Sequence, residues 1–524
     1  MTIGPPEART TDPERTGALL EKTAGGAGWT IGWRAATRAL GFLSTLVLAR
    51  ILVPADFGLV ALAMSFSRAI DIFADLGVQD ALVRASHSSR ASYDTAFTVN
   101  AIRGCITAVV IGVSAWPFAR FFGDPRLFYV VLALGLAVLL DALENVGVAD
   151  FRRDLAFHRE FQLSIFPRIA QVIVTIALAF TWANYWALVA GTLTGRVLGT
   201  IASYVMHPYR PRLSLAARRE IVGFSVWTWL VSMATMVRGR GVIMIIGGML
   251  NPTQLGIFTV GSEIATLPET ELIGPLSRAS FSGFAAARRS GLSVAETYMR
   301  INSSMLVIAV PASIGISSIA APLVYLAFGA KWLEATPIIE ILAISGVFAV
   351  MDRISSSLFY AFAYLRPLFW NVVAMSAIQF ALLVPFVWHS GIVGAAIASA
   401  LAMLIQQTVL SILTFRRFAM RPMDLLSRVW RCLLAAAAMS AFLALSGLGW
   451  AGGAPSVSAS LRQLFVTSGT GAGVYTGVLL SLWLASGRPN GPETDVLEVI
   501  RRVAIGLHGF ASRRAALLWS AGSR

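Results

Sequence analysis

The stretch WTIGWRAATRALGFLSTLVLARILVPADFGLVALAMSFSRAIDIFADLGVQDALVR, Trp29 to Arg84, decides the fold. Two apolar runs meet at the break Val53-Pro54-Ala55-Asp56, and a run of about 20 apolar residues crosses a bilayer as a helix. Yet Arg34, Arg38, Arg68, Asp71 and Asp75 lie well inside these runs. A charge near mid-bilayer costs roughly 2.5–3.5 kcal/mol on the insertion scale, so five facing lipid would cost more than ~12 kcal/mol. The residues are therefore expected to face a hydrated, charged cavity, and that cavity is where function is sought.

Composition supports a polytopic membrane protein. Of 524 residues 56% are hydrophobic and 13% charged, and the mean hydropathy is +0.71, outside the range of ordinary soluble domains. The net charge of +15 does not indicate nucleic acid, because the arginines fall in small groups between apolar runs instead of forming one basic face. Cys105 and Cys432 sit in separate apolar spans and are expected to be packing residues. The five histidines, His87, His158, His207, His389 and His508, form no ligand cluster, so no metal is expected. AGGAGWTIG and GTGAGVYTG lack the lysine of a phosphate-binding loop, and no cofactor or ATPase is expected. Gly469, Gly473 and Gly477 recur every four residues, the spacing of close helix packing in membranes.

Apolar runs and their breaks predict about fourteen spans. Connectors alternate in charge. One set, with both tails, carries about 26 Lys and Arg; the other carries about 5, namely Arg50, Arg120, Arg126, Lys331 and Arg462. The positive-inside rule then places both termini in the cytoplasm, consistent with an even span count. The opposite connectors, such as VPAD, FGDP, WANY and LNPT, are too short to hold a soluble domain with catalytic acids. Residues 1–28 read as a disordered cytoplasmic tail without a signal peptide. Residues 488–524 carry apolar residues at helical spacing beside Arg501, Arg502, Arg513 and Arg514, which fits a basic amphipathic helix on an anionic membrane or one packed on the protein.

Two echoes indicate a duplicated design. LVPADFGL (52–59) matches LNPTQLGI (250–257), aligning Pro54 with Pro252 and Gly58 with Gly256. FTWANYWALVAG, around Trp182, matches FVWHSGIVGAAI, around Trp388. Six spans separate the repeats, so the halves share one orientation and are related by an axis along the membrane normal. The expected architecture is all-α: two pseudo-symmetric six-helix bundles, 29–209 and 210–420, then two extra transmembrane helices in 421–487. Bundles facing across a cleft suit alternating access.

The run from Leu48 to Arg84 resembles the opening of the Wzx-type oligosaccharide flippases, members of the multidrug/oligosaccharidyl-lipid/polysaccharide (MOP) exporter superfamily that includes the MATE transporters. FGAKWLEATPIIEILA, Phe328 to Ala343, is similar to their segment between the ninth and tenth spans. The resemblance extends over about Trp29 to Ser486. It implies transfer of polyprenyl-diphosphate-linked oligosaccharide from the inner to the outer leaflet of a bacterial cytoplasmic membrane, for surface polysaccharide such as exopolysaccharide, capsule or lipopolysaccharide O antigen.

Guanidinium forks suit phosphate oxygens by charge and geometry. Arg34 and Arg38 are four apart on one face of the first span, and Arg238 and Arg240 lie midway along the seventh. These four, with Arg50 and Arg103, are the candidate diphosphate and cavity residues. Asp71 and Asp75, with Arg68 and Glu263, are candidates either for ion pairing or for coupling to H+ or Na+. Asp141, Glu144, Arg196 and the pair Asp352 and Arg353 are further intramembrane polar residues. The expected partners are the lipid-linked substrate, the bilayer, a coupling ion and other polysaccharide-assembly proteins. Two other readings stay open: a drug or metabolite antiporter, which would favour an acidic cavity, and a membrane polymerase or glycosyltransferase.

Overall fold

The computed structural model describes residues 36–74, 82, 89–154, 156–217, 226–450, 452, 456–498 and 501. Arg34, Asp75 and most of both tails lie outside the described residues. All regular structure among those described is helical. Nine of these helices are long and apolar enough to cross a membrane. A tenth counts if Arg126–Ala142 and Val146–Arg153, bent by 62° at their junction, form one broken span. Large apolar side chains such as Val205, Trp388 and Leu445 are almost fully exposed, an arrangement that lipid tolerates and water does not.

The chain divides into two compact units, Met1–Gly256 and Ile257–Arg524. The first contains α1 (residues 36–51), α2 (Pro54–Ala74), α3 (Arg90–Phe121), α4 (Arg126–Ala142), a short α5 (Ala149–Arg153), α6 (Phe157–Trp182), α7 (Trp186–Met206) and α8 (Val226–Met249). The turn between α1 and α2 is fixed by its own sequence. Pro54 opens α2, where a missing N–H costs nothing, and the Asp56 carboxylate accepts the Val53 N–H at 3.2 Å. The opening turn of α9 (Pro252–Ala265) also belongs to this unit.

The first sequence echo becomes a reciprocal contact. A Cβ added to Gly58 would lie 1.9 Å from the Pro252 carbonyl oxygen, and one added to Gly256 would lie 1.9 Å from that of Pro54. Each repeat's glycine is seated on the other repeat's proline, and only the absence of side chains permits that approach. The second echo forms two corners. Ala183, at φ 47°, turns α6 into α7. Within α14 (Leu365–Arg417) of the other unit, Gly391 at φ 56° breaks the helix, so that two spans meet there.

The second unit continues α9 and adds α10 (Gly274–Ser290), α11 (Val294–Ser318), α12 (Ala320–Ala327), α13 (Thr336–Ala361), α14, α15 (Pro422–Leu445), α16 (Val457–Ala485) and a last helix, α17 (residues 492–498). FGAKWLEA packs as a corner with Phe328 and Trp332 buried. Pro311 inside α11 offers no N–H to the Val307 carbonyl one turn back, and the Tyr475 hydroxyl of α16 donates to that oxygen at 2.8 Å. Arg431 of α15 grips Glu493 of α17 with two bonds, 2.8 and 3.1 Å, their side chains only 7% and 3% exposed. Arg300 of α11 donates to Asp495 at 2.7 Å. Thus α17 begins the C-terminal segment by packing on the protein through its acids.

Two packing expectations are corrected. Cys432 is buried, but Cys105 is exposed, because its side of α3 carries the outward-facing Ile102, Ile106 and Val109. A Cβ on Gly469, Gly473 or Gly477 would meet nothing within 4 Å. Their stripe faces away from the chain, and it is Gly471, on the opposite face, that seats Met439 and Leu443.

Candidate functional site: a charged chamber in the first unit

Helices α6 and α7 pack tightly where Gly191 meets Thr175, whose Oγ1 would lie 1.7 Å from an added Cβ. Toward the end carrying the basic connectors, they separate around Gly195 and Gly199 and, with α4 and α5, enclose a cavity of about 290 Å3. Its polar lining is Asp141, Glu144, Arg152, Glu160 and Arg196, with Ser164 and Thr200. An adjoining recess of about 260 Å3 shares Ser164, Gly195 and Arg196 and is lined further by Arg68, Arg168, Gln171 and Thr192. A narrow crevice brings in Ser67 and Asp71 of α2. At 1.5 Å per residue, Glu160 is ~5 Å from the start of α6, Arg168 is ~16 Å along it, and Arg196 is ~15 Å from the end of α7. The chamber thus runs from the basic end toward mid-membrane.

Most of its charges are already engaged. Arg196 is in contact with Asp141, Arg152 donates to Glu160 at 2.8 Å, and Arg168 donates to Gln171 at 3.2 Å. Arg103 of α3 pairs with Asp71 at 3.1 Å, both side chains largely shielded. Among the described residues, Arg68 has no hydrogen bond and no carboxylate partner, and its charge is felt by the half-buried Arg240 of α8. Like charges that oppose each other inside an apolar protein are costly, and an anion joining them would relieve that cost. Glu144 likewise makes no side-chain bond among the described residues, and it is chiefly shielded from water, with Asp141, Arg196 and Arg152 beside it.

The remaining predicted residues are more dispersed. Arg38 is exposed on α1, Arg50 is exposed at that helix's far end, and Arg238 is half-buried on α8, each engaged in contacts of its own. Glu263 is exposed near the end of α9, in the second unit, also with its own contacts. There Arg353 pairs with Glu269, and Asp352 accepts from Gln406 at 2.7 Å. Sequence reasoning passed over Arg168 and Gln171, although FPRIAQ places them three apart on one face of an apolar helix. Arg152 counted only toward a basic connector, and Glu160 was passed over as well.

Beyond the spans, the connector after α7 is strapped to α3. Asp94 accepts the Tyr209 hydroxyl at 2.6 Å and the Arg212 N–H at 3.1 Å, and the Thr98 hydroxyl oxygen accepts the Ser214 N–H at 2.9 Å. Burial, reinforced by the Asp94 carboxylate, pushes the Tyr209 phenol well above its ordinary range, so it stays a donor.

The helical membrane fold agrees with the comparison to known proteins. The model of the family described as "Polysaccharide biosynthesis protein" matches residues 47–337, more than half of the chain. The chain belongs to the polysaccharide biosynthesis protein family. Among relatives of this polysaccharide biosynthesis chain, the succinoglycan biosynthesis transport protein ExoT of Rhizobium meliloti (strain 1021) is 22% identical over 320 residues, 61% of this chain and 65% of that protein. The lipopolysaccharide biosynthesis protein WzxC of Escherichia coli (strain K12) is 22% identical over 402 residues, 76% of this chain and 81% of that protein. The fold is similar to those of two solved membrane transporters. Lipid II flippase MurJ, in an inward closed conformation, superposes with a TM-score of 0.71 at 14% identity, covering 88% of this chain and 99% of its own. An inward-facing multidrug resistance MATE transporter does so with 0.60 at 16% identity, covering 73% and 94%.

Proposed function

We propose that this protein is a flippase that carries polyprenyl-diphosphate-linked oligosaccharide from the inner to the outer leaflet of the bacterial cytoplasmic membrane. The observation that carries the reading is the juxtaposition of Arg68 and Arg240 beside a recess also lined by Arg168 and Arg196. A diphosphate would add negative charge where Arg68 and Arg240 oppose each other, and guanidinium groups bind its oxygens bidentately. The relatives point the same way: ExoT is named a transport protein and MurJ a flippase. In this reading the basic end is cytoplasmic, both termini lie there, and fourteen spans form two six-helix bundles, 29–209 and 210–420, with two further helices in 421–487. Arg34, Arg38 and Arg238 are assigned in this reading to binding the diphosphate during transfer. Asp71, Asp75 or Glu263 exchanges H+ or Na+ to reset the carrier, which works alongside other polysaccharide-assembly proteins.

The test is complementation of a strain lacking the gene. Arg68→Ala, Arg240→Ala, Arg38→Ala and Arg238→Ala should each abolish surface polysaccharide while the membrane level of the protein stays normal. Normal polymer export in all four would defeat the arginine assignment, and normal export in the deletion strain would defeat the transport reading itself.

A further inference from the structure

Six exposed arginines collect at one end of the second unit. Arg288 and Arg289 close α10, Arg366 opens α14, Arg416 and Arg417 end it, and Arg421 stands just before α15. Contacts bring these elements together. Arg288 donates to the Ala361 carbonyl at 3.3 Å and lies over the Phe362 ring at 5.3 Å. Phe362 meets Phe418 edge-on at 5.1 Å, and the Tyr364 ring lies 6.1 Å from both. Arg417 in turn lies over Tyr364 at 4.4 Å. Among the described residues, none of the six arginines forms an ion pair with a carboxylate, whereas Arg300, Arg428 and Arg431 of α11 and α15 each hold one. Asp424, the acid nearest to them in sequence, lies in the first turn of α15, where the helix dipole favours it.

We propose that this patch is a binding site for an anionic glycerophospholipid, with the phosphate on the ring-stacked arginines and the acyl chains along α14. The helices α13, α14 and α15 are long and apolar enough to cross a membrane, so their ends abut the headgroup layer. One turn into the span from Arg366 and from Arg416, on the same helix faces, stand Trp370 and Ile412, 57% and 46% exposed. Positive charge at headgroup level above outward apolar side chains matches a lipid anion; a soluble acidic partner would use only the upper half. A guanidinium lying over a ring covers one face and keeps its in-plane N–H groups available to phosphate oxygens. It is also restrained before the ligand arrives, so less side-chain freedom is lost on binding. Such a site is independent of what the protein carries.

Native mass spectrometry of the purified full-length protein, titrated in detergent with phosphatidylglycerol or with zwitterionic phosphatidylcholine, tests this. The tightest phosphatidylglycerol site should half-saturate at a concentration about tenfold lower than that for phosphatidylcholine. Arg288→Gln with Arg417→Gln should weaken it at least about tenfold. Arg288→Lys with Arg417→Lys, which keeps both charges but loses the planar fork, should weaken it about threefold. Arg90→Gln with Arg210→Gln, an equal loss of charge at two exposed arginines of the first unit, should leave it within about twofold. Wild-type affinity in either variant of the patch overturns the proposal, and so does an equal weakening in the charge-matched control. Displacement of the lipid by inorganic phosphate at equal concentration overturns it too, since the site would then hold a free anion.

Discussion

Adding a single methyl group at Gly58 probes the crossing of the two repeats. In Gly58→Ala the new Cβ falls 1.9 Å from the Pro252 oxygen, 2.8 Å from the Gly256 nitrogen and 2.9 Å from the Pro252 carbonyl carbon. All three are backbone atoms near a helix start, and no flexible side chain can yield, so the helices must separate by more than 1 Å to reach ordinary contact. Overpacking of this kind costs about 1–3 kcal/mol, and in a chain this long it should lower the apparent Tm by about 1–3 °C. Gly256→Ala should cost a similar amount. Because both substitutions open one contact, the double variant should fall short of the sum of the two. The assay is thermal inactivation of detergent-solubilised protein, followed by loss of the monodisperse species at a fixed heating rate, since membrane proteins seldom unfold reversibly. Gly469→Ala, where an added Cβ meets nothing, serves as control and should be neutral or stabilising by up to about 1 kcal/mol from helix propensity. If Gly58→Ala melts like wild type, the reciprocal seat is not a tight contact and the repeats do not meet there.

Three further outcomes follow from the second unit and the chamber. Tyr475→Phe leaves the Val307 carbonyl without a donor and should cost about 1–3 kcal/mol; adding Pro311→Ala restores an N–H one turn away and should recover most of the loss, read as a double-mutant cycle of melting temperatures. Arg431→Ala strands the buried Glu493 and should cost about 3–5 kcal/mol, whereas Arg431→Met with Glu493→Leu, which removes both charges, should melt near wild type. Arg103→Ala removes the 3.1 Å ion pair to Asp71 and should reduce protein level in the membrane; partial recovery of that level in Arg103→Ala with Asp71→Asn, measured by quantitative blotting, would mark the pair as structural.

Some of this architecture was legible in the chain and some was not, for definable reasons. The repeat LVPADFGL and LNPTQLGI was readable because proline and glycine are required by local geometry, and local geometry leaves its mark in neighbouring residues. The same holds for the corners after Trp182 and Trp388. Charges inside apolar runs announced a polar interior, but sequence spacing does not say which acid meets which base. Arg103 and Asp71 are 32 residues apart and Arg196 and Asp141 are 55; only the packing of α2, α3, α4 and α7 joins them. Arg152 and Glu160 were hidden in a connector whose arginines already had an explanation, the topology rule. Gly471 was obscured by the regular spacing of Gly469, Gly473 and Gly477, since a four-residue period fixes a face of a helix without saying what that face meets.

The most direct measurement is transfer of a polyprenyl-diphosphate-linked neutral disaccharide by purified protein in sealed vesicles, comparing wild type with Arg68→Ala and Arg168→Ala. The account predicts rapid transfer by wild type and at least about a tenfold loss in each variant, with both variants retaining wild-type melting behaviour. Transfer by the folded variants at the wild-type rate would contradict it.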